Sequence, residues 1–294
     1  MTEAAGAATR SETDRVRDRL LGPRGVLAQA SSENFPVAPR WLGRTAQRRL
    51  TDIYGFARLV DDTGDESPGD RLALLDEIEA EVERIYSGTP WHPLMRSLQA
   101  TVRECDIPPR PLRKLIEANR VDQSVTRYAT FDDLLAYCEL SANPVGHLVL
   151  HAFGQFDDVN AEFSDRICSA LQVIEHVQDV AEDARNGRIY MPEADMSACG
   201  CTEQDLVSTT ASTALRSLLA LQTTRSEKML RSGSPLVGRL SGRAGPAVAG
   251  FVGGGLATVR ALRRAGHDTL SRDVRASTGA IVRGALRAYG RGRR

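Results

Sequence analysis

The sequence predicts an all-α fold, and three observations carry that expectation. Apolar residues recur at spacings of three and four, as in Leu50, Ile53, Tyr54, Ala57 and Val60, which gathers them on one face of a helix. No segment alternates polar and apolar residues with the two-residue period of a half-buried strand. Pro108-Pro109 and Asn143-Pro144 punctuate the periodic segments, at positions where one helix stops and another starts.

Residues 1–30 are rich in Ala, Thr, Gly and charge and read as a loose leader. Helical patterning starts near Thr45. The stretch Arg71 to Tyr86 aligns Leu72, Leu75, Ile78, Val82 and Ile85, with Glu and Arg opposite them, as an amphipathic helix requires. Further helices are expected at 93–105, 109–128, 131–150, 163–186 and 203–231. Residues 244–262 are apolar but glycine-rich and carry Pro246 and Arg260. That composition is weak for bilayer insertion, so a core helix is expected whose glycines allow close packing or a cavity. The organisation expected is a leader (1–30), one helical domain (31–275) around a central apolar cavity, and a basic tail (276–294).

Hydrophobic residues make up 41% and charged residues 26% of the chain, ordinary for a globular protein and unlike an integral membrane protein. The formal net charge of zero hides an asymmetry. From Arg225 to Arg294 fifteen basic residues stand against three acidic ones, Glu227, Asp268 and Asp273. Two readings are open: a solvated helix face with a frayed tail, or peripheral contact with an anionic membrane, at about 1 kcal/mol per well-placed basic residue. Nucleic acid is disfavoured as a partner, since the basic residues are interleaved with glycine rather than stacking aromatics. Cys105, Cys138, Cys168, Cys199 and Cys201 fit no disulfide or zinc framework. Reduced thiols and a polar N-terminus without an apolar signal core predict a cytoplasmic protein, with the inner membrane face as its alternative station.

Two acidic helices carry the candidate chemistry. In Arg58-Leu-Val-Asp61-Asp62-Thr-Gly-Asp65, Asp61 and Asp65 are four residues apart and share a helix face. Between Gln172 and Asp183, residues Glu175, Asp179 and Asp183 form a second such ladder. Like charges at this spacing destabilise an isolated helix by about 0.2–0.5 kcal/mol per pair. One pair alone is commonly solvated surface; two, each in an otherwise apolar helix with an arginine nearby (Arg58, Arg188), point to a bound cation. Hard carboxylate oxygens suit Mg²⁺, which is normally shared with substrate phosphates. Two such helices across a cavity would grip a diphosphate through divalent ions.

At these residues the chain resembles the squalene/phytoene synthases. The matching pieces are Tyr54-Gly-Phe-Ala-Arg58-Leu-Val-Asp61-Asp62, Tyr137-Cys-Glu-Leu-Ser-Ala-Asn-Pro-Val-Gly146, and Gln178-Asp-Val-Ala-Glu-Asp183 running into Gly187-Arg-Ile-Tyr-Met-Pro192. They cover about 34–267 in family order. Glu33-Asn34-Phe35-Pro36-Val37 and Leu140-Ser-Ala-Asn-Pro144 are most similar to the hopanoid-pathway branch, known as squalene or hydroxysqualene synthase.

The resemblance implies an isoprenoid synthase helical bundle. It implies ionisation of presqualene diphosphate, with water capture giving hydroxysqualene. It also implies a functional link to a presqualene diphosphate synthase and a flavin-dependent reductase. Asp61, Asp65, Asp179 and Asp183 would bind Mg²⁺, with Glu175 beside them; Arg58, Gln172, Arg188 and Tyr190 would contact the diphosphate or its metal shell. Tyr137 would face the reacting carbons, and Asn34 and Phe35 would lie beside the substrate. Two positions depart from the family: Glu175 stands where Asn is common, and His267 where Tyr is common. His147, His151 and His176 read as structural. Rival readings are head-to-tail elongation, suggested by Asp61-Asp62-Thr-Gly-Asp65, and head-to-head condensation of farnesyl or other prenyl diphosphates to presqualene diphosphate, squalene or phytoene. A non-catalytic helical assembly protein is the rival from outside enzymology.

Overall fold

A computed structural model describes residues 40–292, which form helices and connecting segments; an isolated bridge between Arg127 and Ile189 is the nearest thing to sheet among them. After a 3-10 turn at Arg40–Leu42 come α1 (Arg44–Asp65), α2 (Arg71–Ser87), α3 (Pro93–Glu104) and α4 (Pro109–Val121). Then follow α5 (Phe131–Ser141), α6 (Asn143–Ala152), α7 (Asp158–Gln178), α8 (Val180–Arg185), α9 (Glu193–Cys199) and α10 (Glu203–Leu206). The chain closes with α11 (Thr213–Gly233), α12 (Leu236–Arg239), α13 (Ala244–Arg264) and α14 (Thr278–Gly292).

Local chemistry sets the helix ends. Asp70 caps α2 by accepting from the Ala73 amide at 3.1 Å, and Asp157 caps α7 by accepting from Asn160 at 2.7 Å. Thr130 and Asp133 form a reciprocal capping box on α5, satisfying amides that a helix start leaves unpaired. Proline lies within the first two positions of α3, α4 and α6, where its missing N–H costs no helix bond. The expected helix 131–150 is therefore two helices meeting at Asn143-Pro144. The expected helix 203–231 is α10 and α11, with Ser212 capping the second.

One stripe differs from expectation. On α2 the buried residues are Leu74, Leu75, Ile78, Glu81, Val82 and Ile85, while Leu72 is exposed. At 100° per residue Leu72 lies about 110° from the centre of that stripe, too far round to reach the core.

Two large apolar clusters fill the molecule. One joins α1–α4 with α6 through residues such as Phe56, Leu75, Leu98 and Ile116. The other joins α7, α11, α12 and α13 through residues such as Ile174, Leu218, Leu236 and Val252. A smaller cluster, built on Tyr128, Tyr137 and Tyr190 with Leu134 and Val173, lies around the candidate site. The glycine-rich stretch is a core helix as expected: α13 buries Gly253, Gly254 and Gly255. A Cβ on Gly255 would crowd the Leu171 and Leu230 side chains. In the expected basic tail, residues 278–292 are helical and pack on α13. Among the described residues no helix is long and apolar enough to cross a membrane. The expected leader (1–30) lies outside the described residues, and so do Asn34 and Phe35 at the start of the expected domain.

Candidate active site

α1, α4, α5, α7 and α8 converge on a cavity of about 270 Å³. Arg58, Asp61 and Asp65 enter it from α1, Tyr137 from α5, Gln172 and Glu175 from α7, and Asp183 from α8. Asp179 joins them from the junction of α7 and α8, and Arg188 and Tyr190 from the segment after α8. All ten described candidates from the sequence therefore line one cavity.

The second acidic ladder is kinked. A single helix was expected across 163–186, but the chain bends at Asp179 (φ −97°, ψ 13°), where α7 gives way to α8. The i to i+4 bonds nevertheless continue, from the Asp179 amide to Glu175 and from the Asp183 amide to Asp179, both 2.9 Å. Glu175, Asp179 and Asp183 thus remain on the cavity side.

Arg188 and Tyr190 are placed by an extended segment. Gly187 has φ +83°, a left-handed conformation that glycine adopts without a Cβ penalty, and there the chain turns back. The Ile189 amide then bonds to the Thr126 carbonyl at 2.9 Å, and the Glu193 amide to Tyr128 at 2.9 Å. Extended backbone sends successive side chains to opposite sides. Ile189 and Met191 consequently enter the apolar core, while Arg188 and Tyr190 line the cavity.

Charge in the site is only partly compensated. Arg188 Nη2 lies 2.5 Å from Asp65 Oδ1. Burial disfavours the Arg188 cation, yet the Asp65 carboxylate outweighs it and holds its pKa above the ordinary arginine value. Arg58 Nε lies 2.7 Å from Asp62 Oδ1, a charge contact whose N–H is not aimed well enough for a hydrogen bond. Asp61 is reached by water but sits in a cleft dense with protein. Lost solvation, reinforced by Asp65 and opposed by a 3.1 Å bond from Asn119 Nδ2, pushes its pKa to about 6. Burial, with Asp183 and Glu182 nearby, also raises Asp179 to about 6. Asp183 Oδ2 has no hydrogen-bond donor and stands 3.4 Å from His176 Nδ1.

Three residues here were not legible as site residues. Asp122 accepts from the Tyr137 hydroxyl at 2.6 Å and the Tyr190 hydroxyl at 3.2 Å, and burial raises its pKa despite those bonds. Burial also raises the pKa of Tyr137 and Tyr190, which keeps both phenols protonated as donors. Asn119 holds Asp61. His176, read as structural from sequence, stacks on Tyr190 with ring centroids 3.8 Å apart and lines the cavity. A signal for Asn119 does exist: it stands at i+7 on the stripe Leu112, Leu115, Ile116, a polar residue on a buried face. His267 follows the end of α13 at φ +56°, its amide bonded to the Leu262 carbonyl at 2.9 Å, as a helix-end residue.

The polar cavity opens into an apolar chamber. The two share Arg58, Asp61, Ser141, Gln172 and Glu175. The chamber adds about 370 Å³ lined by Ile53, Ala57, Val145, Val149, Leu171 and Phe251. It continues through Val145, Val149, Leu171 and Phe251 into a further 110 Å³ bounded by Leu236 and Val248. A charged head fits one end and a hydrocarbon the other.

The squalene/phytoene synthase profile matches residues 28–280. The chain belongs to the squalene/phytoene synthase family. Within that family it is 33% identical over 213 residues to the hydroxysqualene synthase of Rhodopseudomonas palustris, covering 71% of each chain. It is 33% identical over 252 residues to that of Zymomonas mobilis, covering 80% of each. The crystal structure of squalene synthase HpnC from Alicyclobacillus acidocaldarius superposes with a TM-score of 0.77 at 38% identity, covering 86% of this chain and 94% of that one. The all-α fold and the enzyme class expected from sequence are those of these squalene/phytoene synthases.

Among the described residues no three ligating side chains stand close enough to hold a metal by themselves. The donor set still fits Mg²⁺. Crowded carboxylates with raised pKa values call for a cation, and Mg²⁺ takes one or two carboxylates while filling its shell with water and substrate phosphate.

Proposed function

We propose that this synthase ionises presqualene diphosphate, rearranges the carbocation and captures it with water to release hydroxysqualene. One observation carries the reading: facing acidic sets and two arginines sit at the polar end of a cavity whose other end is apolar. The likeness to two hydroxysqualene synthases supports this product.

Asp61 and Asp65 on one side, and Asp179 and Asp183 with Glu175 on the other, would hold Mg²⁺ against the diphosphate. Bound Mg²⁺ would neutralise charge as it develops on the leaving group. Arg58 and Arg188 add fixed positive charge at the same place, preorganised rather than recruited during the reaction. Gln172 and Tyr190 orient the head. The carbon–oxygen bond breaks with its electron pair leaving on diphosphate, and the cyclopropylcarbinyl cation opens in the chamber. Apolar walls restrict the access of water to the cation, and one admitted water captures it. That water's oxygen bonds to carbon, and its lost proton passes to the departing diphosphate. Tyr137, held by Asp122, faces the reacting carbons and has no need to ionise. Asn34 and Phe35 would border the substrate.

In this setting a presqualene diphosphate synthase supplies the substrate and a flavin-dependent reductase removes the product. The site of action is the cytoplasm, at the inner membrane face, through the basic C-terminal part. The similarity to a squalene synthase favours a second reading in which prenyl diphosphates are condensed head to head. Farnesyl, geranylgeranyl and presqualene diphosphates, supplied separately and followed by mass spectrometry, separate the two. Hydroxysqualene from presqualene diphosphate alone is expected; phytoene, or presqualene diphosphate formed from farnesyl diphosphate, would overturn the assignment.

A further inference from the structure

The C-terminal helix presents a surface that the reaction does not use. α14 contains no acidic residue and carries Arg283, Arg287 and Arg291. Val282 is 52% and Leu286 68% exposed, the most exposed large apolar side chains among the described residues. At 100° per residue these two share the outward face with Arg283. The opposite face, with buried Gly284, lies against α13. A Cβ at Gly253 or at Gly284 would strike the facing backbone, so the glycines let the two helices approach closely and fix which face of α14 points out.

Beside this ridge runs a basic groove of about 450 Å³, in which Arg287 and Arg291 meet Arg231, Arg239 and Arg260. Glu227 pairs with Arg231, and Asn160 accepts from Arg239. Among the described residues no carboxylate forms an ion pair with Arg260, Arg287 or Arg291. Burial, together with Arg287, Arg264 and Arg231, depresses the Arg260 pKa; the groove is short of negative charge. Its lining residues Pro235, Gly238, Val252 and Leu256 lie on the same two helical segments as Leu236, Val248 and Phe251, which wall the further compartment of the hydrocarbon chamber. The basic face therefore backs onto the hydrocarbon end of the cavity, away from the diphosphate end.

We infer that the outer face of α14 and the adjoining arginine groove dock on an anionic lipid bilayer, with Val282 and Leu286 entering the headgroup region and the arginines meeting lipid phosphates. Exposed apolar residues bordered by arginine on a helix held parallel to the protein surface are the pattern of interfacial docking. The inference rests on the membrane contact proposed above and is independent of the reaction assigned.

Co-sedimentation of the full chain with vesicles tests it. Binding is expected to phosphatidylcholine vesicles containing phosphatidylglycerol, not to phosphatidylcholine alone, and to fall as added salt screens charge. Each arginine removed in Arg287→Gln and Arg291→Gln should weaken partitioning about fivefold. Val282→Ser with Leu286→Ser should weaken it at least about tenfold. Circular dichroism and turnover of detergent-dispersed substrate should not change in these variants. Absence of binding to anionic vesicles, equal binding to neutral ones, or retained binding in both double variants would overturn the inference. So would DNA binding, or a dimer lost in Val282→Ser/Leu286→Ser, if either occurred without vesicle binding. An enzyme that binds vesicles but makes a different product would count against the reaction alone.

Discussion

Arg188 reaches across the site to Asp65, its Nη2 2.5 Å from the carboxylate Oδ1, and joins two residues 123 positions apart. The pair ties the first acidic helix to the segment that follows the second. Asp65 is 48% exposed on its side chain, so the pair contributes little to stability, about 0–1 kcal/mol.

Arg188→Ala should therefore separate function from folding. Turnover is expected to drop about 100-fold or more, with the melting temperature shifted by no more than about 2 °C. Arg188→Lys keeps the charge but loses the planar fork and should fall between. Steady-state kinetics and thermal denaturation of the same preparations check this.

The two raised aspartates set a pH dependence. Asp61 and Asp179 have folded pKa values of about 6 against an ordinary 3.8. Between these values the folded protein binds more protons than the unfolded chain, so stability falls as pH rises from about 4 to 6. A cation that favours the ionised carboxylates reverses the loss. Metal-free protein should melt lower at pH 7 than at pH 5, and Mg²⁺ with diphosphate should restore it mainly above pH 6, with proton release on binding. Thermal melts at several pH values, with and without the pair, measure both effects.

Tyr137→Phe removes the donor to Asp122 at 2.6 Å and leaves a buried carboxylate oxygen short of a partner. Such a loss costs about 1–3 kcal/mol, read as a melting temperature several degrees lower. If Tyr137 also faces the reacting carbons, turnover should fall further than Tyr190→Phe makes it fall.

Much of this site was legible, for a physical reason. Asp61 with Asp65, and Glu175 with Asp179 and Asp183, are spaced by the helical period, and charge has no packing reason to recur there. The kink at Asp179 was not legible, because no proline or glycine marks it and the i to i+4 bonds run through it. Asp122 escaped because its partners, Tyr137 and Tyr190, come from α5 and from the segment after α8, a juxtaposition only tertiary structure makes. The alternation of Arg188 and Tyr190 against Ile189 and Met191 depends on pairing with Thr126, which is equally non-local. For the fold, the all-α class and most helices were legible. The expected helix 109–128 nevertheless stops at Val121, so that Arg127 can bridge to Ile189, and Glu193–Cys199 and Thr278–Gly292 are helices that were not expected. Leu72 shows how a stripe can be read too early.

The chamber should set the length of hydrocarbon accepted. Val149 borders both apolar compartments, so Val149→Trp would obstruct the passage between them, with an overpacking cost of about 1–3 kcal/mol. Turnover of presqualene diphosphate should fall at least tenfold while diphosphate still binds. Calorimetric titration with Mg²⁺ and diphosphate, beside the product assay, separates a blocked chamber from a damaged head site.

The most direct measurement is incubation of purified protein with presqualene diphosphate and Mg²⁺ in ¹⁸O-labelled water, followed by mass spectrometry of the lipid extract. The account predicts hydroxysqualene carrying one ¹⁸O, absent after chelation and in Asp61→Asn and Asp179→Asn. Unlabelled or no alcohol from active wild-type preparations, or equal product from the chelated enzyme, would contradict it.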